Sequence, residues 1–141
     1  MRLYIAVVGI NLALYGQASD GYAFTGPSVA DMPPTIQVDG RQVSLQNLNN
    51  PVVKSNEAFK EGAKIYIKNC VLCHGDLLDG KGLYGESFSP RAANFLRPQS
   101  ILNKPQSYVY WRIMTGGPGL PKKFNPSDSA MPAWEGTLKE K

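Results

Sequence analysis

Histidine and cysteine are nearly absent from this chain: one histidine and two cysteines occur in 141 residues. A tetrahedral structural zinc site takes four Cys or His ligands, and only three such residues are present in all. Small exported domains are often held by several disulfides. Here the one possible pair, Cys70 and Cys73, would close almost no loop and would stabilise little. Long hydrophobic runs are missing as well. The apolar stretch LYIAVVGINLALY at 3–15 covers 13 residues, short of the ~20 that cross a bilayer as a helix. The net charge is a mild +4, without the dense basic stripe or recognisable module of a nucleic-acid binder, so no nucleic-acid partner is expected. Acidic residues are scarce in one region: between Lys81 and Lys123 seven basic residues face a single acidic one, Glu86.

Glycine and proline, by contrast, are abundant at 14 and 11 residues, which signals a small, loop-rich domain. Such a domain buries too little surface to be robust without a staple or a large cofactor. Arg2, the apolar run and the small residues of Gly16-Gln17-Ala18 read as an export signal over 1–18, or as an uncleaved anchor. Export to the periplasm follows, with membrane association if the segment is retained. Residues 19–50 read as an N-terminal arm, with TIQV-DG-RQVSL at 35–45 forming a hairpin around Asp39-Gly40. Residues 56–70 are amphipathic with helical spacing and can be capped by Ser55 or Asn56; Phe59, Gly62, Ala63, Tyr66 and Cys70 share one face. A short helix is possible near 100–102. A second full helix is expected at 105–115, opened by Pro105 and stopped by Gly116-Gly117, with a long loop after it.

The first helix delivers Cys70-Val71-Leu72-Cys73-His74. A thioredoxin-type dithiol is one reading, but strands and helices do not alternate around it as that setting requires. Covalent haem attachment is the other. Two intervening residues in a helical turn set the thiols at roughly the separation of the haem vinyl groups, and the next residue projects an imidazole toward the iron. Export suits this reading, because such haem is attached outside the cytoplasm. With His74 used, the sixth position falls to a methionine, a weaker ligand or nothing. Met114 lies in the second helix, where packing is the plainer role. Met131 stands in the loop SAMPAW, kept out of helix by Pro132, and a loop thioether can reach the opposite iron face.

GAKIYIKNCVLCHG, a glycine-rich stretch ending PRAANF, YVYWRIMTGG and SAMPAW together resemble the class I mono-haem c-type cytochromes, in the style of domains associated with bacterial respiratory complexes. The resemblance implies an all-α fold around one covalent haem c, occupying 51–141 behind the arm. It implies thioethers at Cys70 and Cys73 and axial ligands His74 and Met131. Gly62 and Tyr66 resemble the pair at which the first helix crosses the family's last helix, and Pro90 or a nearby carbonyl would orient the His74 ring. Arg91, Arg97 and Arg112 are candidate partners of the haem propionates. The implied activity is one-electron transfer, with no substrate chemistry and no catalytic residues of its own. A redox partner with an acidic docking face, within or beside a membrane-associated respiratory complex, is expected. A haem-based ligand-binding or sensing module with an open sixth site is the alternative; a thiol oxidoreductase is a third. The family's C-terminal helix is not apparent in WEGTLKEK, so a partner subunit or further chain is expected to cover Phe59 and Tyr66.

Overall fold

The computed structural model describes residues 26–124 and 129–138; the expected leader at 1–18 and the start of the arm lie outside them. Within the arm, a single 3₁₀ turn at Val29–Asp31 precedes two antiparallel strands, β1 (Thr35–Val38) and β2 (Arg41–Ser44). Thr35 pairs with Ser44 and Val38 with Arg41. Asp39 and Gly40 both take positive φ, at 49° and 77°, as a tight hairpin turn between right-twisted strands requires. Strand alternation then sends Ile36 and Val38 to one face, where both are buried.

Three helices follow: α1 (Asn56–Asn69), α2 (Val71–His74) and α3 (Gln106–Thr115). Ser55 caps α1 by accepting the Ala58 amide at 3.0 Å. Cys70 ends α1 and opens the single turn of α2, so the first helix stops one residue earlier than its periodicity suggests. Pro105 precedes α3 rather than starting it, and Gly116, at φ 55°, ends it. The short element expected near 100–102 is a 3₁₀ turn at Ile101–Asn103, and the following long loop contains another at Lys122–Phe124. The regular structure among the described residues is thus mostly helical, with the small hairpin in front. No helix among them is long and apolar enough to cross a membrane.

The buried apolar core consists of Ile36, Val38 and Leu45 from the arm, Tyr108, Trp111 and Met114 from α3, and Leu120 from the loop beyond. Tyr108, Trp111 and Met114 recur at threes along α3 and share its inner face. Trp111 is 1% exposed and meets Tyr108 edge to face at 5.5 Å. Met114 therefore packs in the interior. By contrast, α1 buries none of its residues. Phe59 is 77% exposed, and the arm that might have covered it lies against α3 instead. Residues 135–138 form turns rather than helix.

Candidate haem-attachment site

The thiols of Cys70 and Cys73 sit one helical turn apart, because the amides of Cys73 and His74 both bond back to the Cys70 carbonyl, at 3.1 and 2.9 Å. Neither thiol is in a disulfide, and both are half-buried. Burial, and then the charge of Cys73, push the Cys70 thiol above its ordinary range. Among the described residues no three His, Cys, Asp or Glu side chains gather into a metal-binding cluster of their own.

A short helix ends with unsatisfied carbonyls, and the glycine-rich stretch exists in large part to meet them. The amides of Tyr84, Gly82 and Gly80 donate to the carbonyls of Leu72, Cys73 and His74 at 2.8, 3.2 and 2.9 Å. This collar lies so close that a Cβ on Gly82 would stand 2.5 Å from the Leu72 oxygen, and one on Gly85 would stand 2.3 Å from the Cys73 oxygen. Both positions therefore take glycine. Tyr66 reaches across from α1 to donate its hydroxyl to the Gly75 carbonyl at 2.6 Å, fastening helix to turn.

The imidazole of His74 is fixed on two sides. Its Nδ1 lies 3.1 Å from the Ala93 carbonyl, which can only accept, so Nδ1 carries the proton and Nε2 keeps its lone pair. The ring stacks on Phe95 at 4.6 Å. Burial lowers the His74 pKa from its ordinary value, and the bond to Ala93 opposes that only in part. The orienting group is therefore the Ala93 carbonyl, three residues beyond Pro90 and of the kind expected as the alternative to Pro90 itself. A tied, neutral imidazole with a free Nε2 is the form in which histidine ligates a metal.

The expected second ligand lies on a different support. Met131 is half-buried, its carbonyl accepts the Gly117 amide at 2.7 Å, and the Trp134 and Glu135 amides both return to the Met114 carbonyl at 3.1 Å. The SAMPAW loop is thus laced to the end of α3.

The three arginines separate sharply. Arg91 is exposed and pairs with Glu86 at 3.1 Å, and Arg97 is exposed. Arg112 is only 4% exposed, and its Nη1 has no hydrogen-bond partner among the described residues. Its guanidinium lies 5.7 Å from the Trp111 ring centre. Burial depresses its pKa, yet a guanidinium stays charged. A buried cation with an orphaned donor is costly unless an anion completes it. Sequence reasoning did not single Arg112 out from the other two, since all three are arginines and only the folded chain shows which is buried.

These features fit haem c. Two thiols on one turn, in no disulfide, and an imidazole with a free Nε2 are the protein donors that attachment and ligation of such a group require. Apolar side chains around the turn, including Leu72, Leu77, Leu83 and Leu96, stand more than half exposed and offer the hydrophobic contact. The comparisons agree with this chemistry. Over 107 residues the chain is 32% identical to the protein described as alcohol dehydrogenase (quinone), cytochrome c subunit, from Gluconacetobacter polyoxogenes, and equally to its counterpart from Komagataeibacter europaeus. The match covers 76% of this chain and 21% of each relative, so the chain corresponds to about a fifth of their length. No solved structure matches it significantly. Residues 57–141 match the family described as cytochrome C oxidase, cbb3-type, subunit III, and the chain belongs to that family of cytochrome c domains.

Proposed function

We propose that this cytochrome c domain carries one haem c, bound through Cys70 and Cys73 and ligated by His74 and Met131, and that it moves single electrons in the periplasm. The observation that carries the reading is the His74 ring, held through Nδ1 by Ala93 directly behind two unpaired thiols on the same turn. Haem so bound supplies a ferrous–ferric couple. The chain's own residues do the rest. Ala93 and Phe95 hold the imidazole in one tautomer and one plane, as a ligand to iron would need. The lacing of the SAMPAW loop to α3 offers Met131 from a fixed base. Arg112 would pair with a propionate, and the leucines around the turn would give the group apolar contact. Were His74 and Met131 both to ligate the iron, the group would supply electron transfer without bond-making on a substrate.

The domain serves a respiratory chain, as a carrier or as part of a membrane-associated oxidoreductase complex. The description of the relatives as cytochrome subunits of a quinone alcohol dehydrogenase supports that role. Lys81, Lys104 and Lys122, all exposed, form the cationic surface that an acidic partner face would meet. Arg112 does not join that surface, because it is buried. The test is optical. The purified holoprotein is expected to show one covalently held haem and a weak near-infrared sulfur-to-iron band in the ferric form, and to resist carbon monoxide when reduced. Rapid carbon monoxide binding at neutral pH would instead favour the ligand-sensing alternative.

A further inference from the structure

We propose that the N-terminal arm is the positioning element of the distal loop: residues 27–45 set the stiffness of the Met131 segment, while the haem-binding turn is held by independent means. Three observations converge on this. Among the described residues, all the buried apolar side chains of the core belong either to the arm or to α3 and the loop that follows it, with Leu45 of the arm at 0% exposure. The arm is fastened to both ends of this unit: Tyr108, near the start of α3, donates to the Pro27 carbonyl, and Asp31 pairs with Lys123 in the loop beyond. The third concerns the other half of the domain. The CVLCH turn is held by its own glycine collar, by Tyr66 and by Ala93, and α1 buries nothing.

The consequence is a division of labour. Local opening free energy follows local packing and hydrogen bonding, so the two iron-facing segments open separately. The Met131 segment hangs on α3 through the amides of Gly117, Trp134 and Glu135. Because α3 is seated on the arm, a cavity made in the arm propagates to those amides. It leaves the amides of His74 and Gly75, which bond within the turn, less affected. The arm thereby controls how readily an exogenous ligand displaces Met131, and this step rests on the assignment of Met131 as ligand.

Native-state hydrogen exchange on the full-length holoprotein tests the inference, using Leu45→Ala and the milder Ile36→Val, which keeps the fold if the larger deletion does not. Exchange at Gly117, Trp134 and Glu135 is expected to rise about tenfold in Leu45→Ala, and less in Ile36→Val, with His74 and Gly75 changing far less. Cyanide binding to the ferric protein should accelerate in parallel. Removing the α1 cap with Ser55→Ala should leave the three distal amides unmoved. Equal acceleration at all five amides, or none in either arm variant, overturns the proposal. Absence of the near-infrared band in the unmodified protein would instead count against Met131 as ligand, and the amide pattern would still report on the arm.

Discussion

At the scale of the residue, three side chains divide the work of the proposed site. His74 is held before any metal is considered, because Ala93 fixes its tautomer and Phe95 its plane. Met131 is presented by a loop whose amides are tied to the end of α3. Replacing Met131 with Ala is expected to abolish the near-infrared sulfur-to-iron band and lower the reduction potential. Retention of both, with loss of the band in Met114→Ala, would transfer the role to Met114. Arg112 is a buried cation with an orphaned donor. Its positive charge favours the less positive, reduced iron, so Arg112→Gln should lower the potential in a redox titration and Arg112→Lys should lower it less. Equal potentials in all three proteins would remove Arg112 from the propionate site. Cys70, Cys73 and His74 were legible in the sequence because a chemical motif sits in five consecutive residues. Which carbonyl near Pro90 orients the ring, and which arginine is buried, were not, since a carbonyl carries no side-chain signature and burial is settled only by the folded chain.

At the scale of the element, the glycine collar and the hairpin do different things. The collar caps α2 by approaching its carbonyls more closely than any Cβ permits. A methyl group at Gly85 would sit 2.2 Å from the Gly80 oxygen, so backbone must shift. Gly85→Ala is expected to cost ~1–3 kcal/mol, read as a lower unfolding midpoint of the holoprotein; an unchanged midpoint would mean the collar yields freely. In the arm, the Lys123 ammonium, then the Ser28 amide and hydroxyl, lower the Asp31 carboxyl from its usual 3.8 to about 2. A depressed acid stabilises the fold fully above its unfolded pKa and loses that contribution as pH falls through the folded value. The midpoint gap between wild type and Asp31→Asn should therefore be small but constant at neutral pH, and should close between pH ~4 and ~2. A gap that widens on acidification would contradict the pairing with Lys123. The hairpin, α1 and α3 were legible from Asp39-Gly40, from periodicity and from the flanking Pro105 and Gly116. What the arm packs against was not, because an alternating strand marks which face is buried and says nothing of its partner.

At the scale of the whole molecule, the domain has a well-packed half of arm, α3 and distal loop, and a haem-turn half whose apolar residues remain open among the described residues. The proposed acidic partner face would meet the exposed lysines. Opposite charges mainly speed encounter, so the electron-transfer rate with that partner should fall as salt shortens the Debye length below ~10 Å. A rate flat across ionic strength would rule out electrostatic steering. The most direct test of one-electron transfer through a haem closed by His74 and Met131 is an optical redox titration of the purified protein, run with and without carbon monoxide. The expected result is a single one-electron transition at a potential that carbon monoxide leaves unchanged. A transition displaced by carbon monoxide, or a protein with titratable thiols and no haem absorbance, contradicts it.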